Sequence, residues 1–157
     1  MSRTPFVPAE LLSKLWRAVI EFDMLQAGDR ILIGLSGGKD STALLCALAN
    51  LRNYYPKKFT LYGLTLSMGF EGMDFSQTAE LCRRLGVQHC ICSVVDRQTL
   101  TVEYINFSAN KVSAFRKCFG ASAVPDAFYT DNAADLPMIH LSRTAYKVRR
   151  NRITQIK

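Results

Sequence analysis

The stretch "ILIGLSGGKDS", Ile31 to Ser41, limits the possible folds more than any other part of this chain. Its first half, with the preceding arginine, is the run "RILIGL", fully apolar after Arg30, as in a strand covered on both faces of a parallel sheet. Its second half removes two Cβ atoms in a row, at Gly37 and Gly38, and so frees the backbone for positive φ and for close approach by a ligand. The next run, "STALLCALANLRNYY", repeats apolar residues at helical spacing, with Leu44, Leu45, Leu48 and Leu51 on one side, and Pro56 ends it. Strand, glycine turn and helix N-terminus together make an anion site, and phosphate is its natural guest. Ser36 and Ser41 add hydroxyl donors there, and Lys39 adds a charge.

The surrounding pattern extends the same architecture. Leu11, Leu12, Leu15, Val19 and Phe22 predict an amphipathic helix over 8–23, with Pro8 in its first turn. "AGD" at 27–29 is a turn. A second strand is expected over 59–66, followed by the glycine-containing loop "MGFEGM". A helix is expected between Asp74 as N-cap and Gly86 just past its end, then a third strand in "VQHCICSVV". Strands alternating with helices of this length imply right-handed crossovers and a parallel sheet with helices on both faces. Ligands of such sheets bind beyond the carboxyl ends of the strands, where "SGGKDS" and "SMGFEGM" both fall.

Composition narrows the classes. The 157 residues are enough for one ordinary domain with a real core, and 48% hydrophobic with 21% charged residues is a globular balance. No apolar run reaches the ~18 residues of a membrane span, and the N-terminus lacks the build of a signal peptide, so a cytoplasmic location without membrane contact is expected. Five cysteines at irregular spacing give no disulfide framework. Cys82, His89, Cys90 and Cys92 are dense enough to raise a metal site, but no C-x-x-C pair occurs, and buried strand thiols are the preferred reading. Residues 1–95 carry ten Lys/Arg against eight Asp/Glu, whereas residues 96–157 carry ten against five. The last stretch, "YKVRRNRITQIK", has five basic residues and no acid, which suits a polyanion such as RNA; a solvated tail is the plainer alternative.

The phosphate turn matches neither common pattern. Gly34 and Gly38 stand too close for a Walker loop, Asp40 follows the lysine, and the dinucleotide fingerprint G-x-G-x-x-G is absent. Strand–Ser-Gly-Gly-x-Asp-Ser–helix instead resembles the PP-loop, or N-type ATP pyrophosphatase, superfamily. "FDMLQAGDRILIGLSGGKDSTALLCAL", "YYPKKFTLYGLTLSMGFEGMDFS" and "LCRRLGVQHCI" look most like its tRNA 2-thiocytidine synthetase branch, over roughly residues 10–95.

That resemblance implies an adenine-nucleotide α-hydrolase-like, Rossmann-like α/β fold and cleavage of ATP between its α- and β-phosphates. A tRNA cytidine would be adenylated and its oxygen replaced by sulfur. Ser36, Gly37, Gly38, Lys39, Asp40 and Ser41 would bind ATP phosphates. Leu64, Thr65 and Ser67 would lie near the adenosine, and Mg2+ would offset phosphate charge with Asp40 as its candidate contact. ATP and tRNA are the implied partners, and a homodimer stays open as the assembly. A lysidine synthetase-like adenylating enzyme and a nucleotide-binding module without turnover are the alternatives. An RNA-binding or regulatory protein using the basic stretch is a third, with Tyr146 the one aromatic among those cations.

Three departures stand against the resemblance. Ser67 occupies a place where the family has an acid. Cys118 stands alone where the family has a C-x-x-C pair, so the family's iron–sulfur cluster is not supported by this chain. The later Gly-His-His-x-Asp-Asp signature is missing, and His140 has no carboxylate pair beside it. The expectation is therefore an ATP-binding domain over 1–95, truncated after its third strand, and a divergent basic tail over 96–157 from a frameshift or truncation. A genuine short variant is the rival. No side chain stands out as nucleophile or general base.

Overall fold

The computed structural model describes residues 5–67, 72–93, 107–150 and 152–157. Met68 to Glu71 of the glycine-containing loop, and the last two residues of the third strand's expected span, lie outside them. The chain divides into two compact units, residues 1–91 and 92–157.

In the first unit, α1 (Ala9–Glu21) is followed by β1 (Arg30–Gly34), α2 (Lys39–Leu51), β2 (Thr60–Ser67), α3 (Ser76–Arg84) and β3 (Gln88–Ser93). The sheet order is β1-β2-β3, with β1 and β2 parallel and Gly34 opposite Leu64. This is the expected Rossmann-like arrangement of strands and crossover helices. Ile33, Leu35 and Leu61 from the strands meet Leu45, Leu48 and Leu51 of α2, Val19 of α1 and Cys82 of α3 in one core. Leu44 departs from the expected apolar side of α2 and is exposed. Trp16 of α1 stacks on Tyr54 at 5.9 Å and meets Tyr55 edge-on at 5.5 Å, joining the first helix to the end of the second.

Local chemistry explains the ends of the helices. Asp74 sits one place before the cap position of α3 and still does the capping work, accepting from the Ser76 N–H and the Ser76 hydroxyl at 2.8 Å each. Those two bonds hold its carboxyl below the usual carboxylate range. At the other end Gly86 takes φ of 62°, closing α3 in the left-handed conformation that glycine adopts without cost. Arg52 then donates to the Leu85 and Gly86 carbonyls at 2.6 and 3.3 Å, placing a cation at the negative end of the helix.

In the second unit, α4 (Phe107–Phe119) precedes β4 (Ala127–Thr130), a 3-10 turn at Ala133–Asp135, α5 (Leu136–Leu141), β5 (Thr144–Arg149) and β6 (Arg152–Gln155). β4 and β5 are parallel, and β5 and β6 antiparallel. The regular elements here are more than the sequence pattern revealed, because α5 and β6 are each shorter than the window in which periodicity can be seen. Residues 131–143 supply the crossover that a parallel pair requires. Asp135 is buried at its start and is held by the Lys111 ammonium at 2.5 Å and the Thr130 hydroxyl at 2.7 Å. His140, in the last turn of α5, is exposed.

Candidate functional site

The turn between β1 and α2 is built by its own hydroxyls. Ser36 Oγ accepts from the Gly38 N–H at 3.3 Å and lies 3.3 Å from Ser41 Oγ. The Gly38 carbonyl in turn accepts from the Ser41 hydroxyl at 3.1 Å, the Thr42 hydroxyl at 2.9 Å and the Thr42 N–H at 3.2 Å. Thr42 was not singled out in the sequence, although its place four residues after Gly38 is the signal for this back-bond.

The two glycines do different work. Gly37 takes φ of 79° with open space where a Cβ would be, so its need is conformational. Gly38 has an ordinary φ of −81° and is the N-cap of α2, with no side-chain cap. A Cβ on it would come within 3.3 Å of Ser36 Oγ. The N–H groups of Lys39, Asp40 and Ser41 have no acceptor within the helix, as in any first helical turn. Ser36, Gly37, Gly38, Lys39 and Asp40 are exposed and Ser41 is half-buried, so those amides open on solvent.

The β2 side of the site adjoins this turn. The Leu35 N–H donates to the Leu64 carbonyl at 2.8 Å, extending the β1–β2 ladder to the residue before Ser36. Leu64 to Ser67 and Ser36 to Ser41 therefore occupy the same carboxyl edge of adjacent parallel strands. Leu64 and Thr65 face inward, with Thr65 only 1% exposed; Ser67 is half-buried. The Thr65 hydroxyl meets His89 Nε2 at 2.8 Å. Burial pushes the His89 imidazole below its ordinary value, so the neutral ring is favoured. Sequence spacing gave no sign of this pair, which joins positions 24 residues apart on two strands.

Gly63 is a second residue that reading the strand alone does not reveal. A Cβ there would lie 2.7 Å from Leu35 Cδ1 and 3.5 Å from Cys82 Sγ. Its missing side chain lets Leu35 cross β2 just before the turn begins.

The five cysteines are all reduced thiols and fall in both units. Burial raises the Cys46 thiol and, with Cys46 nearby, the Cys82 thiol, so both stay protonated core residues. In the second unit Cys92 Sγ lies 3.7 Å from Cys118 Sγ. Among the described residues no three His, Cys, Asp or Glu side chains could hold a metal ion. Asp40 is exposed in the first turn of α2, facing the same solvent as the open amides.

A parallel Rossmann-like sheet with a glycine turn at its carboxyl edge defines an α/β unit of the kind that receives an anionic ligand there. The comparisons with known proteins are more specific: the chain is similar to tRNA-thiolating enzymes. It is 40% identical over 73 residues to tRNA-cytidine(32) 2-sulfurtransferase of Geobacter sulfurreducens, covering 46% of this chain and 28% of that protein. The enzymes of the same name from Hahella chejuensis and Legionella pneumophila (strain Paris) are 33% and 32% identical over 92 and 103 residues. Those matches cover 59% and 65% of this chain, and 31% and 35% of the relatives. The matched part thus spans about a third of the length of these relatives. No family model matches. Among solved structures, the U34-tRNA thiolase NcsA from Methanococcus maripaludis, with its [4Fe-4S] cluster, superposes with a TM-score of 0.55. It is 19% identical and the match covers 69% of this chain and 40% of NcsA, a likeness of fold. The resemblance to the tRNA-thiolation branch and the α/β fold class are both upheld.

Proposed function

We propose that residues 36–41 bind the phosphates of ATP and that the chain serves tRNA thiolation by adenylating a cytidine. The observation that carries this reading is the turn itself: amides at the start of an uncapped helix, opening on solvent where a parallel sheet ends. Gly37, Gly38 and the first-turn amides would take the pyrophosphate portion through main-chain hydrogen bonds, and Lys39 would lie beside it as a cation. Leu64 to Ser67 would border the adenosine. The cytidine oxygen would attack the α-phosphorus, pyrophosphate would leave, and sulfur would later displace AMP. A location in the cytoplasm follows from such a substrate.

Mg2+ fits the donor set, since that ion takes one or two carboxylates plus substrate phosphates, and Asp40 is the carboxylate at hand. It would supply charge neutralisation. The family's iron–sulfur cluster does not fit. Two thiols in contact, Cys92 and Cys118, are fewer than the thiolate set such a cluster needs, and no described group completes it.

Backbone resonances of residues 36–41 are expected to move on titration with ATP and Mg2+; unmoved resonances at saturation would falsify the reading. Ser67, in place of an acid at the end of β2, favours a second reading, a nucleotide-binding module without turnover. Pyrophosphate release on adding tRNA separates the two: release supports adenylation, and binding without release supports the module.

A further inference from the structure

We propose that the β5–β6 hairpin is a docking surface for the phosphodiester backbone of RNA. The choice of RNA as occupant rests on the tRNA-modifying role proposed above; the surface rests on the second unit alone. Across the antiparallel pair Lys147 stands opposite Thr154, and Arg149 opposite Arg152. Residues directly opposed project from one face, so Lys147, Arg149, Arg152 and Thr154 form a polar face. Val148 and Ile153, also opposed, take the other and are partly buried. All three cations are exposed, and so is Arg150, which follows in the turn.

This arrangement conflicts with what a free hairpin prefers. Like charges directly opposed repel, yet Arg149 faces Arg152. Among the described residues the ion pairs of this unit join Arg143 to Asp126 and Lys111 to Asp135, and none reaches Lys147, Arg149, Arg150 or Arg152. Arg150 holds φ of 52°, a conformation that suits glycine or asparagine better than a long side chain. Lys157 marks the contrast. Its ammonium donates to the His140 and Ser142 carbonyls, at 2.6 and 2.5 Å, and so helps close α5. Of the five basic residues in this stretch one has a structural task, and four crowd a single turn.

A polyanion relieves both the repulsion and the crowding. Lys147 and Arg149 are two residues apart, about 6.6–6.8 Å along the strand, close to the step between successive phosphates of an extended nucleic-acid strand. Arginine's planar fork takes phosphate oxygens in pairs. A membrane-surface element would set exposed apolar side chains beside its cations. The cationic face here carries Thr154 instead.

The test uses the full chain, a labelled tRNA transcript, and salt varied over roughly 50 to 200 mM. The variant K147Q/R149Q/R152Q is expected to bind at least about a hundredfold more weakly at the lowest salt, with the salt slope smaller by about 2, three contacts at ~0.7 each. Its unfolding midpoint should be equal to or above the parent's, because the opposed charges are gone. R149K/R152K keeps the charge and the fold; it should keep the slope and bind severalfold more weakly. Equal affinity and slope in parent and triple variant would overturn the proposal. So would a parent that binds vesicles of anionic phospholipid but not tRNA. ATP titrations run alongside keep the two readings apart. A triple variant that takes ATP like the parent but loses tRNA supports the hairpin, whereas a parent that binds tRNA but no ATP sinks only the nucleotide reading.

Discussion

The two sheets among the described residues have three strands each and behave as opposites. The first is held by apolar segments that bury Ile33, Leu35, Leu61 and Thr65, and the glycine turn proposed as its phosphate site lies beyond the strand ends. The second has strands of four to six residues, against five to eight in the first, buries Ala145 and Thr130, and carries exposed arginine and lysine out to its hairpin. In the first, the proposed site is added to a fold that packing already determines. In the second, charge is written into the strands, and packing rests mainly on the neighbouring helices through Ala114, Phe115, Met138 and Ile139.

Core truncation should break this comparison most strongly. Leu61→Ala, at a fully buried position of β2, should destabilise the first unit by about 2–5 kcal/mol, read from urea unfolding followed by Trp16 fluorescence. Thr154→Ala on exposed β6 should change stability by no more than about 0.5 kcal/mol.

Gly63→Ala comes next. The added methyl meets Leu35 at 2.7 Å, and the overpacking should cost about 1–3 kcal/mol. Leu35→Val in the same chain should restore part of it; no restoration would mean that Leu35 is not the obstacle. Gly37→Ala meets no atom but forces a methyl-bearing residue to φ of 79°, at about 1–2 kcal/mol. Gly38→Ala, at a negative φ, should be milder in stability, and the order of the two melting temperatures checks the division of labour between the glycines.

The smallest effect is a pH dependence. His89 has a folded-state value lowered by burial, so the unfolded chain binds more protons just below the ordinary value of 6.5. Its contribution to stability is whole above that pH and is lost as pH falls through the folded value. His89→Gln should flatten that part of the urea-midpoint profile, and an unchanged profile would assign the slope to another group.

How much of this could be read beforehand follows the same division. The run from Arg30 to Leu51 announced strand, turn and helix because a short continuous apolar run is followed by two glycines and then by apolar residues at helical spacing. Its glycines announced a turn that needs positive φ, and Gly37 does take the left-handed conformation. Asp74 and Gly86 marked α3 to within a residue. Leu44 misled, because an apolar side chain at helical spacing need not face the core. Beyond Asp96 the strands have four and six residues, β4 is Ala-Phe-Tyr-Thr and β5 alternates only over its last four residues, so no period runs long enough to emerge, and the parallel pairing of β4 with β5 depends on a crossover that no local pattern encodes. The Thr65–His89 contact and the space left by Gly63 were invisible for a simpler reason: each exists only once strands distant in sequence are side by side.

The inward turn of Leu64 and Thr65 has its own consequence. With those side chains facing the interior and the Thr65 hydroxyl held by an imidazole, a guest at the described margin of β2 would meet peptide groups and Ser67 rather than the side chains of Leu64 and Thr65. Discrimination made by peptide groups leaves little trace in residue identity. Chains whose letters differ widely along this margin can therefore still select the same guest.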